Sequence, residues 1–492
     1  MLPRACRSAT CTALLAAAAA APAAGQSDVA FPPDVYAARR GRLLERVTAP
    51  VVVAGEYMIR HEGRKKQDPD FSYLTGVESP YAILVVVPDG RGGQREALFL
   101  PGPRQFAGAQ YPYEDARLVD AAWNRTVRRL APGEAAEAAT GIAETYALDD
   151  FARRLPELVA GWDTVFFAME GEALYAPPGL DPPMSVRQQL AASVARLLPG
   201  RALADATPAV RRLRVVKDAW EIEALRKAAD VSAEGLLEVL RRLEPGMNDL
   251  EVAGIMEWVW KREGSPRPAF SPIVASGPDA VSLFSIRSEN YNAVDRVTRE
   301  GDLVFIDYGA AEWAMYGSDV CRTYPASGRF TPEQRRLYEI VLEAQEAAIA
   351  AVRPGAHVLD VIRAAARVYR RHGLERFEDV DGMDGPERVW GVMPSPTHYL
   401  ARGGGLTRYT AVGGVGVRDI GHHVGLEASD GRDYSTPLEA GMVITVEPKL
   451  YVPELDLAIM IEDVILVTAE GHENLSARAP KTVAEIERAM AR

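Results

Sequence analysis

Residues 301–307 read Gly-Asp-Leu-Val-Phe-Ile-Asp, and residues 441–447 read Gly-Met-Val-Ile-Thr-Val-Glu. Each stretch predicts a short buried strand that begins after a glycine and ends in an acid six positions later. A carboxylate in such a place loses its hydration, which is costly unless a cation or strong hydrogen-bond donors replace the water. The two stretches therefore predict a buried acidic site to which each strand contributes one carboxylate.

The segments that precede these strands are repeated as well. Each strand follows a pair of predicted helices. The pair before the first strand spans 219–243 and 249–262. In the pair before the second strand, one helix begins at 332 and ends at Pro354-Gly355, and the other spans 358–372. The glycines that end the helices stand at equal spacings: Gly246 and Gly355 are 109 positions apart, and so are Gly264 and Gly373. Equal spacing of helix pairs and acid-tipped strands predicts a duplicated α/β half.

Two further acids follow in the same pattern. Asp319 would return on the partner strand of a hairpin around 313–315, and Glu462 would return after Glu447 through a second turn. Two hairpins thus deliver two carboxylates each, one pair from each repeat. Carboxylates, with a histidine, suit a hard divalent cation or two ions that share bridging carboxylates. The alternative is that these acids only pair with neighbouring arginines such as Arg322.

The chain outside the repeats has a different organisation. Residues 1–25 combine the basic Arg4 and Arg7 with an Ala- and Leu-rich run and a small-residue cleavage site, which predicts a secretory signal peptide. Residues 35–205 alternate short apolar strands with helical segments and predict an N-terminal α/β domain; the repeats form a second domain over 213–485. We expect an exported protein, periplasmic or secreted, with no membrane association after signal removal.

Composition and charge argue against several classes of protein. The 492 residues include 56 Lys and Arg against 68 Asp and Glu, a net charge of −12, which argues against a nucleic-acid partner. Cys6 and Cys11 lie in the predicted signal peptide, so that Cys321 is the one cysteine expected in the mature chain. No intrachain disulfide is therefore expected.

The order of these motifs resembles the pita-bread metallopeptidases of the aminopeptidase P and prolidase branch. The similar motifs are Ile306-Asp307-Tyr-Gly-Ala, Ser318-Asp319-Val-Cys, Gly421-His422, Thr445-Val-Glu447-Pro and Ile461-Glu462-Asp463, with Phe71-Ser-Tyr-Leu-Thr-Gly76 in the first domain. The resemblance implies an α/β protein in which the N-terminal domain precedes a pita-bread domain, two pseudo-symmetric halves around a curved antiparallel sheet. It also implies a homo-oligomer.

The resemblance implies the chemistry of the site too. It implies two divalent metal ions, usually manganese, held by Asp307, Asp319, His422, Glu447 and Glu462. Glu447 would also act as the catalytic residue that carries a proton to the leaving amine. His423 is the alternative to His422 as a ligand; His422 is preferred because the family histidine lies three residues before a glycine, here Gly425.

Four positions depart from the family pattern. Family members carry three histidines and an arginine where this chain has Phe284, Arg418, Ser429 and Met460. In the family these side chains position the substrate and stabilise the charge that develops on the attacked carbonyl. Three interpretations follow: an Xaa-Pro aminopeptidase that removes the residue before proline, a metalloenzyme of the same fold with a different small amide or modified peptide as substrate, or a catalytically silent metal-binding homologue.

Overall fold

The structure, a computed structural model, describes most of the chain between residues 30 and 491. The described ranges are 30–56, 66–79, 81–101, 130–170, 179–181, 183–282, 295–372, 421–430, 436–452 and 455–491. The predicted signal peptide lies outside them, as do Phe284, Arg418 and the predicted helix end at Gly373.

The first part of the described chain forms a six-stranded mixed sheet. Its strands are β1 (Val51–Ala54), β2 (Ile83–Pro88), β3 (Gln94–Leu100), β4 (Glu144–Ala147), β5 (Thr164–Phe167) and β6 (Ala202–Asp205). The order across the sheet is β4-β3-β2-β1-β5-β6. Strands β1 to β3 pair antiparallel, and the outer pairs β3–β4, β1–β5 and β5–β6 are parallel.

Helices cover both faces of this sheet. They are α1 (Pro33–Arg46), α2 (Pro69–Thr75), α3 (Glu134–Thr140), α4 (Phe151–Leu158) and α5 (Val186–Leu197). Alternate residues of a strand point to opposite faces: Val51 and Val53 pack in one core with Leu43 of α1, whereas Val52 packs in a second core with Leu155 of α4. This double burial explains why β1 is an uninterrupted apolar run.

The second part contains two helix pairs, each followed by antiparallel strands. After α6 (Thr207–Val215) come α7 (Ala219–Arg242) and α8 (Asp249–Arg262), then β7 (Val274–Ser276), α9 (Pro278–Ser282), β8 (Leu303–Asp307), β9 (Glu312–Trp313), β10 (Tyr316–Gly317) and β11 (Cys321–Pro325). The second pair is α10 (Pro332–Ala351) and α11 (Val358–Arg371); β12 (Val443–Val446), β13 (Lys449–Val452), β14 (Leu457–Met460), β15 (Asp463–Val467), β16 (His472–Asn474) and α12 (Val483–Ala489) follow.

The helix starts are where the capping residues of the sequence place them. Asp218 and Glu221 form a reciprocal capping box at the start of α7, and Thr331 and Gln334 form the equivalent box at the start of α10. Each box satisfies backbone N–H groups that the first helical turn leaves without partners. No helix in the described ranges is both long and apolar enough to cross a bilayer.

Strands of the two halves meet in the middle of the second part. Strand β8 pairs with β7 and β11, and β12 pairs with β15, which pairs with β16. The hairpin β13–β14 lies against β8 and β11, where Met460 packs with Phe305 and Cys321 in a small apolar core. Thr323 of β11 joins it by a side-chain hydrogen bond to the Met460 carbonyl, 3.0 Å long. This contact joins β11 to the end of β14.

Buried ion pairs connect the first part of the chain to the second. Arg39 of α1 binds Asp218 at the start of α7, with 2.8 Å between Nη2 and Oδ2. Arg214 of α6 binds Asp70 at 2.6 Å and also contacts Asp430, in the segment that carries the predicted histidine ligand. Arg39, Arg214, Asp70 and Asp430 are almost completely buried, so that each of these charges needs its partners to remain in place.

Candidate metal centre

The first repeat contributes Asp307 and Asp319. Asp307 is the last residue of β8 and the cross-strand partner of Cys321, and Asp319 stands two residues before Cys321. The chain between them forms the predicted hairpin, and its turn residues Ala314 and Met315 have φ angles of 50° and 70°. Both carboxylates are buried. Because successive side chains of a strand point to opposite faces, Asp307 lies on the same face of β8 as Phe305. That face packs against the small apolar core beneath the hairpin β13–β14.

The second repeat contributes Glu447 and Glu462. Glu447 directly follows β12, and Glu462 lies between β14 and β15. The backbone N–H of Glu462 donates to the carbonyl of Cys321 at 3.0 Å, which fixes Glu462 beside the acids of the first repeat. The neighbouring Asp463 instead pairs with Arg322 at 2.7 Å. The guanidinium of Arg322 is therefore engaged by Asp463 and not by the side chains of the candidate site.

His422 stands with these acids. Its Nε2 atom lies 3.4 Å from Oδ2 of Asp319 and 3.7 Å from Oε1 of Glu447, while Nδ1 lies 3.1 Å from the carbonyl oxygen of His423. A carbonyl can only accept, so Nδ1 carries a hydrogen, and Nε2 is the ring nitrogen that faces the acids. The backbone of His423 forms a bridge with Ile444. The structure thus places His422, the preferred histidine, in the cluster.

The four acids of the cluster lie close together, and all four are buried. Burial, followed by the charges of Asp319 and Glu447, raises the pKa of Asp307 and of Glu462 well above their usual ranges. The Oε2 atom of Glu462 is buried without a hydrogen-bond partner among the described residues. Ligand atoms of Asp319, His422 and Glu462 all lie within 4.8 Å of one another. Hard oxygen donors with one imidazole fit a divalent metal ion, whose charge would offset this repulsion.

Lys449, the first residue of β13, also belongs to the site and was not predicted from the sequence. Its Nζ atom lies 2.6 Å from Oε2 of Glu447, and both side chains are buried. Its positive charge opposes the rise in pKa of Asp307 and Glu462 without outweighing burial. A signal was present, because Thr445, Glu447 and Lys449 stand at alternate positions along an extended chain and point to one face.

Two of the four departures from the family pattern lie in the described ranges. Met460 is fully buried and is the cross-strand partner of Lys449. Ser429 lies in the segment 421–430 that also carries His422. Phe284 and Arg418 lie outside the described residues.

The fold, with its cluster of acids and one imidazole, matches that of the pita-bread metallopeptidase family. The model of metallopeptidase family M24 matches residues 223–469, and that of the aminopeptidase P N-terminal domain matches residues 36–166. The chain belongs to this family, in its aminopeptidase P branch. The resemblance inferred from the motifs is confirmed.

Similar proteins extend over nearly the whole chain. The Xaa-Pro aminopeptidase of Escherichia coli is 29% identical over 466 residues, 92% of this chain and 96% of the relative. Xaa-Pro aminopeptidase 1 of Streptomyces coelicolor is 30% identical over 481 residues, 92% of this chain and 86% of the relative. The relatives that carry this activity in their names therefore align with both parts of the chain.

Solved structures show the same architecture. The proline aminopeptidase P II of Yersinia pestis has a TM-score of 0.73 at 26% identity and covers 94% of this chain and 100% of its own. Aminopeptidase P from Escherichia coli with the inhibitor Pro-Leu has a TM-score of 0.71 at 27% identity and covers 94% and 98%. The predicted α/β fold, an N-terminal domain followed by a pita-bread domain, is confirmed.

Proposed function

We propose that this protein is an exported Xaa-Pro aminopeptidase that uses two divalent metal ions, in its native form manganese, to release an N-terminal residue that precedes proline. The observation that carries the proposal is the convergence of four acids and one imidazole from two repeats in a chain of this family. The residues that would hold the ions are Asp307, Asp319, His422, Glu447 and Glu462. Such ions, when bound, supply positive charge that activates water and polarises the carbonyl of the scissile bond.

Glu447 would be the residue that moves the proton. Its Oε1 atom accepts a hydrogen bond from Oγ1 of Thr445 at 3.1 Å, and its Oε2 atom accepts one from Lys449. Held at both oxygens, the carboxylate has a fixed orientation and is buried from bulk water. In hydrolysis it would take the proton released by the attacking water and pass it to the proline nitrogen as the amide bond breaks. Fixed geometry of this kind lowers the cost of proton transfer.

Thr445 links the backbone of His422 to the carboxylate of Glu447. Oγ1 of Thr445 accepts a hydrogen bond from the backbone N–H of His422 at 3.0 Å while it donates to Glu447. Nδ1 of His422 faces the carbonyl of His423, so that Nε2 is the nitrogen turned toward the acids. Second-layer contacts of this kind set the orientation and basicity of a ligand.

A second candidate is a metalloenzyme of the same fold that acts on a more apolar amide or modified peptide. The observation that favours it is Met460, a fully buried apolar side chain at the position of the family's arginine. An apolar wall at this place would suit a substrate group without charge.

Export and assembly complete the proposal. We infer export to the periplasm or the exterior from the composition of residues 1–25, and a homo-oligomer from the family. Determining the N-terminal residue of the secreted mature chain tests the first, with cleavage near Gly25 expected. Light scattering of the purified protein tests the second.

The activity is tested with two matched peptides. The manganese-loaded protein is incubated with an Xaa-Pro peptide and with the same peptide carrying alanine in place of proline, and the released amino acid is measured. We expect release from the proline peptide alone, its loss on chelation, and its loss in the Glu447→Gln variant, which keeps the size of the side chain but cannot carry the proton. A folded, metal-loaded protein that cleaves neither peptide would contradict the proposal, and cleavage of apolar amides instead would favour the second candidate.

A further inference from the structure

An apolar stripe lies exposed along helix α8. Leu250 and Trp258 are 47% and 50% exposed, and Gly254 is exposed between them. The three residues are spaced by four positions and are therefore neighbours on one face of the helix. Val252 and Met256, on the opposite face, are fully buried in the core. Helix α8 thus has two apolar faces, and packing within the described ranges leaves one of them largely uncovered.

Two arginine side chains hold the indole ring of Trp258. The guanidinium carbon of Arg262 lies 4.8 Å from the ring centroid, and that of Arg242 on α7 lies 5.4 Å from it. Such cation–π contacts fix the orientation of the ring while it stays half exposed. Tryptophan and arginine are also the residues that are most enriched at the centre of protein–protein contacts. The composition of this face therefore favours a protein partner.

Within the described part of the chain, nothing requires glycine at position 254. A Cβ atom there would meet nothing within 4 Å, and Gly254 is not among the glycines with positive φ. In the interior of a helix glycine is less favourable than alanine, so that the residue costs the folded chain stability. A helix surface without a Cβ atom does allow a second backbone to come close. Gly254 therefore points to a contact from outside the chain.

The charges along α8 complement those of a second, antiparallel copy of the same helix. Glu251 lies in the first turn, and Lys261 and Arg262 lie in the last turn. In an antiparallel pair that crosses at Gly254, the first turn of each helix faces the basic half of the other, and the two helix dipoles oppose each other. A two-fold axis makes every such contact occur twice.

An anionic lipid surface fits this face less well than a second copy does. Glu251, Glu257 and Glu263 alternate along the helix and its C-terminal end with the basic residues, and the whole chain has a net charge of −12. Anionic headgroups would repel these acids. A second copy instead supplies a basic residue for the acidic end of the helix and an acid for the basic end.

We propose that α8 is an interface at which two copies of this chain pair antiparallel across Gly254, with Leu250 of each copy against Trp258 of the other. The inference rests on the homo-oligomer of the proposed function and names the surface that forms it. It does not depend on the metal centre, because the described face of α8 is on the opposite side of the helix from the core.

Sedimentation velocity of the purified protein over a range of concentrations tests the inference. We expect the parent to self-associate, and Trp258→Ala to raise the dissociation constant by about 30-fold or more, the scale of a lost interface hot spot. Trp220→Ala is the matched control. Trp220 is 47% exposed and stands at the start of α7 beside Phe31, outside the proposed face, so that its removal should leave the association unchanged.

Gly254→Ala gives effects of opposite sign on the single chain and on the pair. At dilutions where the parent is monomeric, the variant should melt at a higher temperature than the parent, because alanine favours the helix. The added methyl group should nevertheless hold the two helices apart and weaken the association by about 10-fold or more. A glycine that serves only the fold of the single chain would not give both results.

A charge exchange tests the antiparallel arrangement. Glu251→Arg and Arg262→Glu should each weaken the association, because each places like charges across the interface. A chain that carries both substitutions should recover most of the loss, since each new arginine then faces a glutamate of the second copy. The two positions are exposed, so that these variants decide the outcome even if Trp258→Ala does not fold.

Three results would overturn the inference. One is a parent that stays monomeric up to about 0.1 mM, where even weak interfaces associate. A second is self-association that none of the α8 variants changes, which would place the oligomer on another surface and leave the proposed homo-oligomer standing. The third is a monomeric parent that binds vesicles containing phosphatidylserine through Trp258, which would identify a lipid surface as the occupant. A protein that pairs through α8 but cleaves no Xaa-Pro peptide would refute the proposed activity alone.

Discussion

The hydroxyl of Thr445 connects directly to Glu447: Oγ1 donates to Oε1 of the carboxylate at 3.1 Å. The same oxygen accepts the backbone N–H of His422 at 3.0 Å. One small side chain thus sets the distance between an imidazole and an acid that come from separate segments, 421–430 and the end of β12. This contact therefore helps to orient Glu447 relative to His422.

Replacing Thr445 with valine should weaken manganese binding by about 10- to 100-fold, the usual effect of removing a group that orients a ligand. Valine keeps the branched shape and removes only the hydroxyl. Affinity is measured by calorimetry on the metal-free protein. Thr445→Ser retains the hydroxyl and should stay within a few fold of the parent. Equal affinities for the valine and serine variants would show that the hydroxyl does not orient Glu447.

Gly421, next to His422, should not tolerate a side chain. A Cβ atom there would overlap the carbonyl of Thr445, a backbone atom that cannot turn away. We expect Gly421→Ala to lose about 1–3 kcal/mol of stability and to bind less manganese. Gly254→Ala on α8 is the control, since its Cβ would meet nothing within 4 Å and a helical alanine should stabilise the protein by about 0.5–1 kcal/mol. A Gly421→Ala variant as stable as the parent would contradict the close approach of these segments.

Asp430 should stabilise the protein in a pH-dependent way. Burial alone would raise its pKa, but Arg214 and Lys217 outweigh burial and hold the pKa at about 2. Because this pKa lies below that of an unfolded aspartate, the stabilisation is complete above about pH 4 and is lost as the pH falls through about 2. Asp430→Asn should cost about 3 kcal/mol at pH 7, and its deficit should shrink at pH 3.

The measurement for Asp430 is the difference in melting temperature between the variant and the parent at the two pH values. Glu144→Gln is the control: its partner Arg95 is half exposed, so that the variant should cost less than about 1 kcal/mol. A deficit of Asp430→Asn that is the same at pH 7 and pH 3 would show that its ionisation contributes nothing.

Restoring two family histidines should separate the two candidate functions. If the chain is a prolyl peptidase that lacks donors near the attacked carbonyl, Phe284→His with Ser429→His should raise kcat/KM for an Xaa-Pro peptide by about 10- to 1000-fold. The comparison is made at matched metal content. If the pocket serves a more apolar amide, the double variant should leave Xaa-Pro cleavage near background, and that flat result from a folded, metal-loaded protein would count against the weakened-peptidase interpretation.

The sequence predicted those features that depend on local periodicity. Helix α8 has the predicted bounds of 249–262, and α7 and α10 begin at their capping boxes, because these signals lie within a few residues of one another. The four acids could be proposed as metal ligands because a carboxylate at the end of a buried apolar strand loses its hydration and needs a cation or donors in place of water.

Features that depend on the packing of distant segments could not be predicted. Which of two adjacent histidines faces the acids followed only from the family resemblance; in the structure it is His422, whose Nε2 atom lies 3.4 Å from Asp319 of the other repeat. The partner of Arg322 is Asp463, one residue from a predicted ligand, and alternation alone cannot say which of the two acids it binds. Lys449 gave a readable signal, yet a lone lysine after an acidic strand is most often solvated.

The central claim is that Asp319 and Glu462 help to hold the two metal ions on which hydrolysis depends. The most direct test loads the parent and the double variant Asp319→Asn with Glu462→Gln with manganese, dialyses both, and measures metal per chain by elemental analysis. The amides keep the shape of the acids and remove their charge, so that folding, followed by circular dichroism, should be retained. We predict about two manganese ions per chain in the parent and close to none in the variant. The same manganese content in both proteins would contradict the account.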